Sequence, residues 1–306
     1  DSSKLCGGCH NGFHHPTYDE WNTAGHGHVT KSVAGYFRDP AAGQARMQSC
    51  GACHSGAVRM AMLRTVKGWP MEYPDGEKAA TTPITCAVCH DAHQANLDNT
   101  HSLRNPRHST EFFTYNTSTN TDFKAQWNAG GKDIQICGQC HNSRGAKPAD
   151  TSRPPHHSPQ YNVLVGDVGV AAGYVAAAPP SRQSAHRNIQ NQCTRCHTHG
   201  HSPEVPTEED PVYTGHGFEP SIESCVECHQ TAENAQDMIA STQSDIKSKI
   251  QEVKALLDAW GSTKAPEALR VKYGALAWEY NTAGQISNPT GATVRGPTSA
   301  EQTDVP

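Results

Sequence analysis

The chain has 306 residues, with 25 Lys and Arg against 30 Asp and Glu and a net charge of -5. The mild acidity and the scatter of its basic residues argue against a nucleic-acid partner, and no apolar run reaches the 18 residues that a transmembrane helix needs. Leu, Ile, Val and Phe together make up only 41 residues, roughly 13 %, below the ~20 % that usually separates folded from disordered chains. The charge is nevertheless too small to drive expansion, so something other than aliphatic side chains has to supply the apolar surface.

The chain begins Asp1-Ser2-Ser3, without a cationic, apolar leader, as a processed and exported chain would. Six short stretches then repeat one pattern: Cys6-x-x-Cys9-His10, Cys50-x-x-Cys53-His54, Cys86-x-x-Cys89-His90, Cys137-x-x-Cys140-His141, Cys193-x-x-Cys196-His197 and Cys225-x-x-Cys228-His229. They use all 12 cysteines, leaving none for a disulfide, a nucleophile or an iron–sulfur cluster. Half a zinc ribbon or a thioredoxin-like redox pair also begins with C-x-x-C, but neither accounts for a His at the same offset six times. C-x-x-C-H is the attachment sequence of a c-type haem. Two thiols on one helical turn form thioethers with the porphyrin vinyl groups, and the following imidazole takes the iron as proximal ligand. The pattern predicts six c-type haems, and six porphyrins supply the missing core. Covalent haem attachment takes place outside the cytoplasm, which predicts an extracellular or cell-surface protein, with the periplasm as the alternative.

Between each motif's His and the next motif's first Cys lie 39, 31, 46, 51 and 27 residues, rich in Gly, Pro, Asn and Thr. These read as turns and loops. Residues 111–131 form the most polar stretch, a surface excursion that holds the weak sequon Asn116-Thr117-Ser118. Residues 142–182, with Pro154-Pro155 and Pro179-Pro180, predict an extended path, partly polyproline II. After His229 the pattern changes. Ile239, Ile246, Ile250, Val253, Leu257 and Trp260 form a helical stripe that breaks at Gly261-Ser262. A second stripe follows Pro266, with Leu269, Tyr273, Leu276 and Tyr280 on one face. The expected fold is mainly irregular with α-helices, wrapped around a stacked haem chain and ending in a helical hairpin or long helix. Its regions are a hexahaem part over 1–230, a helical part over 231–285 and an extended tail over 286–306.

Of the 19 His, six are proximal ligands, and the 13 that remain suggest a distal ligand for each iron. Met is the other common sixth ligand, but only five exist, and Met60 and Met62 sit together in an apolar turn suited to packing. Bis-histidine ligation is therefore expected. His93 follows its motif by three residues. His186 lies seven before Cys193, and His216 nine before Cys225. With His26 and His157 these are the candidate distal ligands; the sixth is His14 or His15, with His15 chosen, ahead of His101, His108 and His201.

The chain resembles the large multihaem cytochrome c group that includes pentahaem nitrite reductase, octahaem hydroxylamine oxidoreductase and their electron-transfer relatives. The matching phrases are Cys6…His10 followed by Tyr18-x-x-Trp21 and Gly25-His26, His90-Asp91-Ala92-His93, Pro155-His156-His157-Ser158-Pro159-Gln160, Ser184-Ala185-His186, Thr214-Gly215-His216 and the closing Trp278-Glu279-Tyr280-Asn281. The resemblance implies distal ligation by His26, His93, His157, His186 and His216. There is no C-x-x-C-K motif, so the lysine-ligated catalytic haem of the nitrite reductases has no counterpart. In haem number and loop character the chain is also similar to the subunits of extracellular cytochrome nanowires, in which one iron takes a ligand from the neighbouring subunit. The expected function is electron transfer as a homopolymeric filament that hands electrons to other redox proteins or extracellular acceptors. The alternative is a reductase of nitrite or hydroxylamine type with one open iron, for which Arg104, Arg107 and His108 form a candidate cluster. The mass of the mature chain is expected to exceed the bare 33.0 kDa by about six haem masses; intact-mass spectrometry checks this.

Overall fold

The computed structural model describes residues 2–13, 15–64, 70–91, 101–104, 135–141, 160–165, 185–189, 191–263, 279–280 and 286–287. Among these the chain is mainly helical, in helices of one or two turns, with one long helix near the end. Chain contacts divide it into two units: Asp1–Ala149 with Ser158–Ser224, and Asp150–His157 with Cys225–Pro306.

Each motif lies on a helical turn. The His N–H donates to the carbonyl of the first Cys in motif 1 (His10, 2.9 Å), motif 3 (His90, 2.8 Å) and motif 4 (His141, 2.9 Å). This closes one turn and brings both sulfurs to one face. Motif 2 runs from the π-turn Met47–Gly51 into the helix Ala52–His54. Motifs 5 and 6 sit in the helices Gln192–His197 and Glu223–His229.

The aliphatic core of the first unit is small. Ala34, Phe37, Met47, Val58, Ala79 and Ala80 are buried together, with Val29, Val33, Met71 and Tyr73 packed against them. The helix Lys31–Arg38 presents Ala34 and Phe37 one turn apart on its inner face. The helix Gly76–Thr81 brings Ala79 and Ala80, and it starts at Asp75, whose carboxylate accepts from the Lys78 N–H at 2.8 Å. All of this surrounds motif 2; the turns of motifs 1, 3, 4 and 5 are not part of the cluster. Trp21 links two of them instead. Its buried indole N–H donates to the Ile84 carbonyl at 2.8 Å, tying the stretch after motif 1 to the stretch before motif 3.

Two expectations need correction. Residues 160–165, expected in an extended path, form the helix Gln160–Val165. Tyr161 is the reason: it is buried, and its N–H donates to the His141 carbonyl at 3.0 Å, which docks the segment on motif 4. Tyr280, expected on a helical face, lies in the strand Glu279–Tyr280, antiparallel to Ile286–Ser287 with Tyr280 opposite Ile286. Tyr and Ile both have high strand propensity. The rest of the second expected helical stripe lies outside the described residues, as do 111–131 and the sequon.

In the second unit the helix Ala232–Thr263 runs for 32 residues. The Thr231 hydroxyl caps it, accepting from the Asn234 N–H at 3.1 Å. On the expected packing stripe, Ile239, Ile246 and Val253 are 45 %, 52 % and 46 % exposed, so they face outward within this fold. Among the described residues no helix is long and apolar enough to cross a membrane.

Two glycines test the packing in opposite senses. Gly56 is buried and donates to the Thr82 carbonyl at 2.9 Å, and a Cβ there would run into the Pro83 carbonyl. Gly56→Ala is expected to cost about 1–3 kcal/mol. Gly35, exposed in the middle of a helix, has nothing within 4 Å of a Cβ, so Gly35→Ala is expected to add about 0.5–1 kcal/mol. Thermal melts of the two holoproteins should move in opposite directions.

Candidate functional site

Two imidazoles on opposite sides of one metal ion, each nitrogen at about 2 Å, have ring centroids about 6 Å apart. Among the described residues of the first unit, three motif histidines meet another His at that distance. His10 faces His15 with centroids 6.2 Å apart, His90 faces His216 at 6.1 Å, and His141 faces His26 at 5.9 Å. His15, His26 and His216 are thus brought to motifs 1, 4 and 3. The partner of His15 is local. The other two pairs join segments far apart in sequence, and His216 lies opposite motif 3 although motif 6 follows it closely in the chain.

Hydrogen bonds fix which nitrogen each ring presents. His90 Nδ1 lies 2.7 Å from the His101 carbonyl and His197 Nδ1 lies 2.8 Å from the Phe218 carbonyl. A carbonyl only accepts, so Nδ1 carries the proton in both rings and Nε2 keeps its lone pair for a metal. His216 reaches the same state through a relay. The Thr214 hydroxyl donates its proton to Glu20 Oε2 at 2.9 Å, so toward His216 Nδ1, 3.0 Å away, it accepts. Burial holds His26, His90, His141 and His216 neutral. It is the largest cause of the lowered pKa of His26, to about 4, with His141 adding to the effect, and of the lowered values of His90, His141 and His216. A neutral imidazole is the form that binds a metal.

Glu20, on the helix Thr17–Thr23, holds the turn that carries His216. Its carboxylate accepts from the Thr214 N–H (2.7 Å), the Thr214 hydroxyl and the His216 N–H (2.7 Å). Gly215 in that turn has φ +76°, and a Cβ on it would strike the backbone of Thr198. Phe218, itself at φ +61°, joins three motifs. Its ring meets His26 at 4.5 Å and His216 at 5.9 Å, while its carbonyl holds His197. The loop of His15 is pinned more simply: the Gly12 N–H donates to Asp19 and the His15 N–H to the Gly12 carbonyl.

The cysteine sulfurs order the motifs. Cys6 hydrogen-bonds Cys86, Cys140 hydrogen-bonds Cys53, and Cys137 hydrogen-bonds Cys193, while Cys89 feels the charge of Cys140. Motif 1 therefore abuts motif 3, motif 3 abuts motif 4, and motif 4 abuts motifs 2 and 5. All twelve cysteines are free of disulfides. Burial pushes the Cys89 thiol up to about 12, and the Cys193 hydrogen bond, followed by burial, holds Cys137 well above its ordinary value. The Cys53 hydrogen bond lowers Cys140 to about 7 and the Cys137 hydrogen bond lowers Cys193, so the thiols do not share one direction of shift. Nor, among the described residues, do three or more His, Cys, Asp or Glu side chains gather as a metal site of their own. Two imidazoles facing each other at a turn with two thiols fit a c-type haem: the imidazoles would hold the iron and the thiols would bond to the porphyrin's vinyl groups.

The other predicted residues divide clearly. His186 lies on the turn Ala185–Asn188, which packs against the motif 5 helix Gln192–His197. His14, His93 and His157 lie outside the described residues, as do Arg107 and His108. His101 contributes its carbonyl to His90, and His201 is engaged by Asp210 at 2.6 Å. Arg104 donates to the Ala87 carbonyl at 2.6 Å and lies 3.5 Å from Asp91, serving motif 3 as a brace. In the second unit Cys228 and His229 line a cleft of about 400 Å³ with Gln230, Asn234, Asp237 and Met238. Glu20, Thr214 and Phe218 escaped the sequence reading; only the Thr214-Gly215-His216 phrase hinted at that turn.

Repeated C-x-x-C-H turns, with imidazoles paired across them, define a multihaem c-type cytochrome, a protein of electron transfer. Two family models match the chain, one described as outer membrane cytochrome MtrC/MtrF-like, domains II/IV, over residues 117–259, the other as cytochrome c552, over residues 11–153. No curated protein and no solved structure matches it.

Removing the Glu20 carboxylate leaves three donors of the 214–216 turn without their acceptor, at about 1–3 kcal/mol each where burial is complete. Glu20→Ala is expected to loosen His216 and make one iron of the reduced protein reactive to carbon monoxide. A carbon monoxide difference spectrum against the unaltered protein measures it, with Glu20→Gln giving a smaller change.

Proposed function

We propose that the chain carries six c-type haems, each held by a C-x-x-C-H motif and capped by two histidines, and that it conducts electrons along them as the subunit of an extracellular filament. In this assignment His10, His54, His90, His141, His197 and His229 are the proximal ligands. His15 caps motif 1, His216 motif 3 and His26 motif 4. His93, His157 and His186 serve among the remaining irons. Each haem supplies one-electron chemistry between ferric and ferrous iron. The chain's own part is to hold the porphyrins in contact, present Nε2 lone pairs and keep water away. No side chain acts as acid or base.

The observation that carries the reading is the set of three imidazole pairs near 6 Å. An iron with both axial positions filled passes electrons without binding substrate. The sulfur contacts support a porphyrin order that runs 1–3–4–5, with motif 2 beside motif 4. Placement at the cell surface is supported by the match to the outer membrane cytochrome model. The filament rests on the similarity to nanowire subunits in haem number and loop character. We further propose that the polypeptide wraps the haem stack and that the helix Ala232–Thr263 begins a C-terminal helical region.

The second reading, a multihaem reductase, draws on the cytochrome c552 match over 11–153. It requires an open iron. The paired imidazoles leave motifs 2, 5 and 6 as the places for one. Carbon monoxide and nitrite separate the two readings: a reduced spectrum indifferent to both supports electron transfer, and a shifted one supports the reductase. Negative-stain images of the purified holoprotein are expected to contain long threads. A single monodisperse peak on a sizing column would overturn the polymer and leave electron transfer standing.

A further inference from the structure

Arg59 is a buried cation that the haem assignment does not use. It sits on the helix Gly56–Arg64, just after motif 2, with 2 % of its surface exposed. Its Nε has no hydrogen-bond partner, and no carboxylate pairs with it among the described residues. Its charge acts on the sulfurs of Cys89 and Cys140, and Cys140 in turn meets Cys53. The guanidinium thus lies where motifs 2, 3 and 4 converge.

A guanidinium stays protonated at any ordinary pH, so Arg59 cannot escape burial by losing its charge. A lone buried charge is strongly unfavourable, and a buried pair is tolerated only when the partner satisfies the donors. Among the described residues no carboxylate does so. The cofactor does, because every haem brings two propionate carboxylates, and a guanidinium fork matches a carboxylate in two parallel hydrogen bonds.

We propose that Arg59 is a propionate-binding site: it clamps a carboxylate of one of the porphyrins attached at motifs 2, 3 and 4, and so sets the potential of that haem. The inference rests on haem occupancy of those three motifs and is independent of the filament. Positive charge near an iron favours the ferrous form, which carries one positive charge fewer. Without the guanidinium, the buried carboxylate either disfavours reduction or takes up a proton as reduction proceeds.

The test is a spectroelectrochemical titration of the holoprotein, unaltered and as Arg59→Gln and Arg59→Lys, with haem counted by pyridine haemochrome. In Arg59→Gln the reduction equilibrium of one haem is expected to fall at least tenfold, about 59 mV for one electron. Its midpoint should also become dependent on pH between about 5 and 8, as the freed propionate titrates. Arg59→Lys, which keeps the charge but not the fork, should fall between that variant and the unaltered protein. Loss of one haem in Arg59→Gln alone also supports the clamp. Unchanged midpoints in Arg59→Gln at full haem count overturn it. So do equal effects of Gln and Lys, or equal haem loss in both, because then side-chain volume rather than charge is what matters. An unaltered protein lacking haem at motifs 2, 3 or 4 would instead overturn the assignment beneath it.

Discussion

The first unit brings imidazoles into pairs about 6 Å apart, the separation at which one metal ion would hold both. His26 with His141 and His90 with His216 come from segments distant in the chain. Closing loops of that length costs conformational entropy that grows only slowly with their size. A strong axial bond offsets it more readily than a few aliphatic contacts can. In the proposed assignment each iron is a cross-link as well as a redox centre, and cofactor binding is inseparable from folding. The small cluster around Phe37 and Val58 agrees with this, since it surrounds only motif 2.

What the chain adds is polar, and it is concentrated in one turn. The residues Thr214 to Phe218 place His216 opposite His90, hold the proton of His197 on Nδ1, and set a ring against His26. Glu20 fixes that turn with three hydrogen bonds from a helix nearly two hundred residues away in sequence. In a poorly solvated interior such a network stiffens its members when every group is satisfied and destabilises them when one is not. Two backbones at positive φ, Gly215 and Phe218, give the turn its shape, and the Phe218 strain is tolerable because both faces of that residue are in use.

The six motifs were legible in the sequence because attachment chemistry fixes residue type and spacing locally: two sulfurs and an imidazole must share one helical turn. His15 stood with His14 for the sixth position without a motif attached to it, and the structure sets it opposite His10. His26 and His216 could be named as candidates from their phrases, but not matched to an iron, since a distal ligand answers to position in space and not to sequence distance. Glu20 carried no signal, because one carboxylate on a short helix looks the same whether it meets water or a remote turn. Tyr161 was misread with the rest of Gln160–Val165. The prolines around it suggested an extended path, whereas its burial against motif 4 imposed a helix. Local composition loses there to a tertiary contact, as propensity commonly does.

The spatial order of the motifs explains why the intervals are long and irregular. If neighbours in space were neighbours in sequence, short equal connections would suffice, and the chain would read as a repeat. Instead motif 1 lies against motif 3, and motif 4 touches motifs 2, 3 and 5. In the proposed assignment the polypeptide would pass around a porphyrin to reach the next one. Gly, Pro and Asn suit such paths because they turn the backbone without needing a core of their own. The proposed thioethers would suit the same geometry. A chain that doubles back between cofactors has few aliphatic contacts to retain any single one, and a covalent bond to a helical turn fixes each porphyrin independently of its neighbours. Order along the stack is then set by which turns pack sulfur against sulfur, and the sequence between the turns is free to vary in length.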